Sequence, residues 1–434
     1  MAIVTPNTST TVSSPETSTS YTVPLAVVTT LFFMWGFLTC LNDILVPHLK
    51  PIFDLNYRQI MLIQFAFFGA YFLFSIPSAK IIDWIGYQRS MVAGLLTMGA
   101  GAFLFVPAAM VPSYPLFLMA LIVLAAGITC LQVAANPYVT VLGKPQTASS
   151  RLNLTQAFNS LGTFLAPFFG GMLILSAAPK TISEIRAMSP DALQAYRIHE
   201  AASVKLPYIG LGIALVLLAI AIGSFKLPEI PQAQHKVGEK VDDSIWRHPN
   251  LIFGAIGIFV YVGAEVAIGS FLVNYFTQPE IGGLTEKVAA SLVAFYWGGA
   301  MVGRFIGSGL LQKMKAGHLL GICAVCAAAL VATSMLTTGH FAMWSIILVG
   351  FFNSIMFPSI FALGVAELGP LTGDGSGVMI MAIVGGAILP LAQGAIADKI
   401  GIHHAFFLPV ICYVYILYFA LSGSKPNSER HAHA

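Results

Sequence analysis

The chain has 434 residues, of which 57% are hydrophobic and only 9% are charged. A soluble domain usually carries about 25% charged residues, so this composition excludes a protein whose whole surface faces water. The net charge of +3 gives no argument for a nucleic-acid partner. Residues 90–143 contain no Asp, Glu, Lys or Arg, which is room for two membrane spans of about 20 residues each. We therefore predict an all-α integral membrane protein.

Apolar segments bounded by charges or turn residues predict twelve transmembrane helices, with span lengths of about 17–25 residues or longer where tilted. They cover residues 22–48, 59–82, 89–111, 114–141, 150–176, 204–225, 249–276, 288–312, 317–337, 341–365, 375–397 and 404–422. The resulting organisation is a disordered cytoplasmic tail (1–21), an N-terminal six-helix half (22–225), a cytoplasmic linker (226–248), a C-terminal six-helix half (249–422) and a cytoplasmic tail (423–434).

The distribution of Lys and Arg predicts the orientation of these helices. Thirteen of them lie on the side of the two termini and eight on the other, and four of those eight lie in the one long loop 177–203. Cytoplasmic loops carry the excess of positive charge, and the rule is weak for long loops. Both termini and the linker are therefore predicted to be cytoplasmic.

The two halves repeat each other in sequence. PYVTVLG at 137–143 matches PSIFALG at 358–364, and GTFLAPFFGG at 162–171 matches the segment around GAILPLAQG at 386–394. The matches occur in the same order at similar offsets. Two repeated six-helix halves are a transporter architecture that holds its substrate between the halves near the middle of the bilayer.

Two carboxylates interrupt otherwise apolar predicted helices. Asp43 lies in TCLNDILVPHL, and residues 17–42 before it contain no Asp, Glu, Lys or Arg. Glu265 is the one charged residue of 251–279, about 20 Å from either end of that stretch. A carboxylate at the bilayer centre costs about 2.5 kcal/mol or more, so both are predicted to bind substrate or a coupling cation. The alternatives are a helix end outside the membrane for Asp43, and a protonated carboxyl bonded to a neighbouring helix for Glu265.

Amides cluster on two predicted helices. Gln132 and Asn136 share one helix face, and RLNLTQAFNSLGTF places Gln156 and Asn159 on a polar stripe. Such a stripe is costly against lipid, so it is predicted to face protein or an aqueous cavity. Sugar hydroxyls need this mixture of donors and acceptors, with hydrogen bonding between helices as the alternative. The candidates for sugar binding are Asn42, Gln132, Asn136, Gln156, Asn159, Glu265 and Asn353.

Aromatic residues near these amides are predicted to stack on a sugar ring, with simple helix packing as the alternative. They are Trp35, Tyr261, Phe271, Tyr275, Trp297 and Phe352. Charged residues that flank the loop after the second helix, or lie at the cytoplasmic ends of the fifth and eighth helices, are predicted to form a gate. They are Asp83, Arg89, Arg151 and Arg304.

Four stretches carry a resemblance to a known family. They are LNDIL around Asp43, LQVAANPYVTVLG at 131–143, RLNLTQAFNSLG at 151–162 and MSPDALQAYRIHEAASVKLPY at 188–208. With them the chain, from residue 20 onwards, resembles the fucose permease family of the major facilitator superfamily, and within it most of all the glucose/galactose transporter branch. The resemblance implies twelve helices, an alternating-access cycle and sugar uptake driven by a cation gradient.

The resemblance also marks residues. In fucose permeases, the aspartate matching Asp43 and a glutamate in the fourth helix are the carboxylates of proton coupling, and Gln156 and Asn159 match sugar-facing positions. Here Gln132 replaces that glutamate, and Glu265 stands where the family pattern has an amide. Gln132 cannot take up a proton. Either Glu265 takes over part of the role, or the coupling cation is Na⁺ bound at Asp43.

The sequence thus predicts a symporter, not an enzyme, that imports a hexose such as glucose or galactose together with Na⁺ or H⁺. Its cation-coupling candidates are Asp43 and Glu265, and no resident cofactor is expected. The alternatives are a proton-coupled transporter of fucose or N-acetylglucosamine, and a sugar sensor that does not transport. We expect a monomer embedded in the lipid bilayer of a bacterial inner membrane.

Overall fold

The computed structural model describes residues 21–49, 57–111, 113–173, 184–185, 187–230 and 243–426. Within the described helices, the side chains of 42–49, 57–61, 64, 170–173 and 200–204 are not described. The predicted tails, except Tyr21 and residues 423–426, and the middle of the predicted linker lie outside the described residues. In the described part of the chain the regular structure is helical, with no strand, as predicted.

Five long helices form the half before the linker. They are α1 (Thr22–Leu49), α2 (Tyr57–Met110), α3 (Tyr114–Val141), α4 (Ala148–Leu173) and α5 (Pro190–Ser224). The 54 residues of α2 are two membrane spans. Gly86 separates them, because its φ of 79° lies in the left-handed region that interrupts a helix and favours glycine. This half therefore has six spans.

Nine helices form the half after the linker. They are α6 (Pro249–Phe276), α7 (Glu286–Leu310), α8 (Ala316–Leu336), α9 (Gly339–Asn353), α10 (Met356–Gly364), α11 (Thr372–Met381), α12 (Gly385–Ile400), α13 (Ile402–Ala405) and α14 (Phe407–Tyr418). The pairs α9–α10, α11–α12 and α13–α14 each form one broken span. The described helices therefore make twelve spans, as predicted.

Ten stretches are long and apolar enough to cross a membrane by length and composition. The stretch in α2 counts once among them although it holds two spans. The remaining span is α4, which does not reach that hydropathy because its polar stripe runs through ASSRLNLTQAFNS. The polar side chains of α4 thus belong to a helix that packs against other helices of the protein, among them α1 and α7.

The sixth span begins earlier than the sequence predicted. We expected it from residue 204, whereas α5 already begins at Pro190. The Ser189 side chain accepts a hydrogen bond from the Ala192 backbone N–H, and Pro190 has the fixed φ that suits a first helical position. Local capping therefore extends a helix into a polar segment that hydropathy assigns to a loop.

The tenth span is broken where the sequence predicted one continuous helix. Pro358 lies in α10, and a proline offers no N–H to the carbonyl four residues before it. The Ser354 carbonyl loses its helical partner in this way and accepts a hydrogen bond from Arg304 Nε at 3.3 Å. Pro137 has the same effect in the repeat of this motif, and the Val133 carbonyl accepts from Ser376 Oγ at 2.8 Å.

The halves meet at the end of the molecule where the linker leaves α5 and enters α6, which we call the linker end. There Lys80 Nζ lies 2.7 Å from Asp374 Oδ1, and Ser150 Oγ donates to the Ser308 carbonyl at 2.7 Å. Together with the Ser376–Val133 bond, these contacts join the two halves across the interface. The structure is therefore closed at the linker end.

Candidate functional site

A small cavity lies among the spans of the N-terminal half. Its volume is about 130 Å³, and its walls combine aromatic rings with polar side chains. They are Trp35, Thr39, Phe67, Tyr71, Leu124, Ile128 and Asn159. Trp35 and Asn159 are thus brought together as predicted candidates, from α1 and α4. The mixture of apolar walls and a few polar groups is typical of small-molecule sites.

Three of the predicted amides take part in two hydrogen bonds within the N-terminal half, one of which reaches Tyr71 of the cavity wall. Gln132 Nε2 donates to the Tyr71 hydroxyl at 2.8 Å, and Gln156 Nε2 donates to Asn136 Oδ1 at 3.3 Å. All three amides are buried, and Asn136 Nδ2 has no hydrogen-bond partner among the described residues. A buried amide nitrogen without a partner is costly.

Asn159 is held by the neighbouring helix. Its Nδ2 donates to the Phe32 carbonyl at 2.9 Å. The close approach of α1 and α4 makes this bond possible, because Gly36 leaves no Cβ where the Asn159 backbone lies. The side-chain oxygen Oδ1 of Asn159 is available to another donor, and the Asn159 residue is only half-buried.

In the C-terminal half, Glu265 lies in a network of buried tyrosines. The Tyr261 hydroxyl lies 2.8 Å from Glu265 Oε1 and 3.0 Å from the Asn353 carbonyl oxygen. Asn353 Nδ2 donates to the Tyr296 hydroxyl at 2.9 Å, and Asn353 Oδ1 accepts from the Tyr413 hydroxyl at 2.8 Å. Asn353 is fully buried. Its side chain therefore orders the tyrosines around Glu265, whereas Glu265 itself is half-buried.

Arg304 connects this network to the N-terminal half. Its guanidinium donates to the hydroxyl of Ser160 on α4 and to the Ser354 carbonyl oxygen, and it interacts electrostatically with Glu265. The Arg304 backbone carbonyl accepts from Asn153 Nδ2 at 2.7 Å. The predicted gate residue is thus in contact with the polar stripe of α4 and close to the mid-membrane carboxylate.

The other predicted gate residues do not all take part in the contact between halves. Asp83 Oδ2 lies 3.4 Å from Lys80 Nζ, and the same Nζ pairs with Asp374 of the opposite half. Arg89 is exposed. Arg151 donates to the backbone carbonyls of Val139, Thr140 and Lys144, where α3 ends. It therefore caps a helix of its own half, because the last carbonyls of α3 have no helical N–H partners.

None of the remaining aromatic candidates lines this cavity. Tyr275 is fully buried, and its hydroxyl bonds to Ser334 and to His403 Nδ1, so it packs inside the C-terminal half and not in the cavity. Trp297 is 46% exposed and packs edge-on against Tyr296, and Phe352 packs against Phe351. Phe271 lines a groove between α12 and Phe65 of the opposite half.

Two candidates cannot be placed at the level of side chains. The helix α1 runs through Asn42 and Asp43, but their side chains lie outside the described residues. Among the described residues there is no cluster of three or more His, Cys, Asp and Glu that could hold a metal ion.

Sequence reasoning missed several residues that the structure brings into the site. Tyr71, Tyr296 and Tyr413 supply hydroxyl partners to predicted amides, but a tyrosine in an apolar run carries no sign of its partner. Ser160 stood on the predicted polar stripe, and the periodicity of that stripe was the signal that could have singled it out. Asp374 and Lys80 are 294 residues apart in the chain, so no local pattern links them.

Comparisons with known proteins agree with this architecture. The family model described as Major Facilitator Superfamily matches residues 25–383. The glucose/galactose transporter of Brucella abortus biovar 1 (strain 9-941) is 54% identical over 412 residues, which cover 94% of this chain and 97% of the relative. The L-fucose-proton symporter of Escherichia coli (strain K12) is 36% identical over 415 residues, which cover 94% of each chain.

A solved structure is similar over nearly the whole chain. The crystal structure of the major facilitator superfamily transporter FucP, in the outward conformation, superposes with a TM-score of 0.87 at 35% identity, and covers 93% of this chain and 99% of its own. The predicted resemblance and the twelve-span fold are confirmed. The chain therefore belongs to the major facilitator superfamily, and it is a multi-pass membrane transporter and not an enzyme.

Proposed function

We propose that the protein is a proton-coupled sugar symporter that imports a hexose such as glucose or galactose by alternating access. The observation that carries the proposal is the cavity lined by Trp35, Tyr71 and Asn159, with Gln132 bonded to Tyr71 and Gln156 bonded to Asn136. The 54% identity to a glucose/galactose transporter, over almost the full length of both chains, supports the substrate class.

The proposed sugar contacts follow from which polar atoms are still available. Gln132 uses its Nε2 on Tyr71, and Asn159 uses its Nδ2 on Phe32, so each offers its side-chain oxygen to a sugar hydroxyl. Asn136 Nδ2 offers a donor. Trp35 supplies an aromatic ring at the same cavity. Donors and acceptors next to one ring suit a pyranose, which has polar edges and apolar C–H faces.

We infer that the conformation faces outward. The excess of Lys and Arg on the side of the termini puts the linker end in the cytoplasm, and contacts such as Lys80–Asp374 close that end. The related FucP structure is also an outward conformation. Sugar would then enter from the opposite side of a bacterial inner membrane. We expect each monomer to work alone.

The coupling cation is proposed to be a proton. Glu265 is a half-buried carboxyl group whose Oε1 lies 2.8 Å from the Tyr261 hydroxyl oxygen, and a Na⁺ bound there would need several oxygen ligands around it. A proton requires no such coordination shell. The relative from Escherichia coli is named a proton symporter. Asp43 stays a second candidate for the coupling carboxylate, and Na⁺ bound there is the competing outcome of the test.

Two variants test the roles of the carboxylates in proteoliposomes. Asp43→Asn and Glu265→Gln remove one titratable proton each while keeping shape. Each is expected to abolish accumulation of labelled galactose against its gradient and to leave counterflow exchange within about threefold of the unmodified protein, because exchange needs no net proton release. Uphill uptake by Glu265→Gln equal to that of the unmodified protein would remove Glu265 from the coupling mechanism.

A further inference from the structure

An apolar groove, which we call the α4–α7 groove, lies on the boundary between the two halves. Its volume is about 620 Å³. Phe164 on α4 supplies the wall from the N-terminal half, and residues of α7 and α9 supply the rest. They are Ala294, Phe295, Gly298, Gly299, Val302, Trp344, Ile347, Leu348 and Phe351. Several of these side chains are exposed, so the groove is open to the surface of the bundle.

The groove ends where α4 and α7 come into contact. Phe158 on α4 packs edge-on against Phe305 on α7, with ring centroids 5.6 Å apart. Farther from the linker end, Phe164 lines the groove, and Phe168 is exposed one turn beyond it. The two helices therefore touch towards the linker end and leave the groove between them at greater distance from it.

Gly298 leaves space in the groove and does not serve the packing of helices. A Cβ added at Gly303 would collide with the Phe351 carbonyl oxygen, so Gly303 allows α7 to approach α9 closely. A Cβ added at Gly298 would meet no atom within 4 Å. This space opens onto the hydrocarbon of the membrane, and lipid tails are as apolar as leucine side chains. The walls of the groove therefore suit an acyl chain.

A lysine lies on the same face of α7, at the end of the helix far from the linker. Lys287 comes eleven residues, or three helical turns, before Gly298, and it is exposed. The rise of a helix puts the two residues about 16 Å apart along its axis. One leaflet contributes about 15 Å to the hydrocarbon core. A lipid whose phosphate lies at Lys287 therefore has chains that reach Gly298.

We propose that the α4–α7 groove binds one phospholipid of the leaflet opposite the linker end, with an acyl chain over Gly298 and the phosphate at Lys287. The positive charge of Lys287 attracts the phosphate, and the apolar walls hold the chain. Because the chain lies between the halves, it stabilises the conformation with a closed linker end. Rocking of the halves that opens the linker end brings α4 and α7 together at the groove and expels the chain.

Labelling by a photoreactive lipid tests the site. The full-length protein is reconstituted in bilayers that contain phosphatidylglycerol with a diazirine in one acyl chain, irradiated, and digested for mass spectrometry. Adducts per residue should be several-fold more frequent at 294–302 and 344–351 than at Ile322 and Val325. Those two residues are exposed on α8 and do not line the groove, so they report ordinary contact with lipid.

Two glycine variants distinguish the groove from the rest of the surface. Gly298→Leu fills the groove, so labelling there should fall to the level of the α8 residues, whose own labelling should not change. Gly210→Leu is the matched control, because a Cβ at Gly210 on α5 also meets no atom within 4 Å. Labelling of the groove should be unaffected by this variant.

A titration tests the contribution of Lys287. Adding phosphatidylglycerol to the protein in detergent should raise the fraction closed at the linker end, measured from the distance between spin labels at the exposed positions 144 and 313. In Lys287→Gln about fivefold more lipid should be needed.

Three results would overturn the proposal. One is equal labelling of the groove and the α8 residues, and another is labelling of the groove that survives Gly298→Leu. The third is labelling that falls as the ratio of protein to lipid rises, which would mean that a second copy of the chain covers the groove. An unchanged titration in Lys287→Gln would remove the phosphate from Lys287. None of these results depends on which sugar or cation the protein transports.

Discussion

Asn353 illustrates how a polar residue is accommodated in the middle of the membrane. It is fully buried, and its amide nitrogen and oxygen bond to the hydroxyls of Tyr296 and Tyr413. Its backbone carbonyl accepts from Tyr261. The sequence marked Asn353 as a sugar ligand, whereas the bonds of its side chain all run to helices of its own half. It orders the residues that surround Glu265.

Replacing Asn353 by leucine is expected to destabilise the protein. The change removes the Asn353 side-chain partner of two buried tyrosine hydroxyls, and a buried polar group that loses its partner costs about 1–3 kcal/mol. The thermal unfolding temperature in detergent should fall by several degrees. Asn274 lies on α6 and is exposed, so Asn274→Leu is the matched control and should leave that temperature nearly unchanged. Equal shifts for the two variants would contradict the role given to Asn353.

At the scale of elements, the repeated motif P-x4-L-G gives each half a helix with a free carbonyl group. Pro137 frees the carbonyl of Val133, which Ser376 of the opposite half uses, and Pro358 frees the carbonyl of Ser354, which Arg304 uses. A proline in a membrane helix is tolerated where neighbouring helices satisfy the freed group. In the N-terminal copy of the repeat, the freed carbonyl therefore takes part in the contacts that close the linker end.

Replacing Pro137 by alanine is expected to weaken the closed state. Alanine supplies an N–H that competes with Ser376 for the Val133 carbonyl, and one hydrogen bond is worth about 0.5–1.5 kcal/mol. The ratio of closed to open molecules should fall about two- to tenfold, measured as the distance distribution between spin labels at the exposed positions 144 and 313.

Ser376→Ala is the control for this prediction. It removes the same bond from the other side and should give the same shift, and the double variant should add nothing to either single one. A shift in the double variant equal to the sum of the two single shifts would show that Pro137 acts independently of Ser376.

For the whole molecule, the balance between the two conformations is expected to depend on salt. Lys80 and Asp374 join the halves at 2.7 Å, and their side chains are 48% and 16% exposed. Such a partly exposed pair contributes about 0.2–1 kcal/mol. Lys80→Met should therefore lower the closed population by no more than about fivefold at low salt, and by less at about 1 M salt, where the Debye length is about 3 Å.

A charge exchange provides the control for Lys80. Combining Lys80→Asp with Asp374→Lys should restore the closed population, measured with the same spin labels, whereas Lys80→Asp alone should open the linker end further. Failure of the exchanged pair to recover any closed population would mean that the bridge does not stabilise this conformation.

The sequence predicted those features that local composition carries. Glu265 was conspicuous as a charge in an apolar run, and Gln156 and Asn159 as members of a periodic stripe. The break in the tenth span was not predicted, because hydropathy does not record which carbonyl groups a proline leaves free. The partner of Gln132 and the bridge from Lys80 to Asp374 depend on tertiary contacts, which no single-helix pattern specifies.

The most direct test of the central claim is uptake of labelled glucose and galactose by proteoliposomes under imposed gradients. An inward proton gradient at constant membrane potential is expected to drive accumulation well above the external concentration, with unlabelled hexoses competing. A Na⁺ gradient of the same size without a proton gradient should only equilibrate the sugar. Accumulation driven by Na⁺ and indifferent to the proton gradient, or no sugar movement under either gradient, would contradict the account.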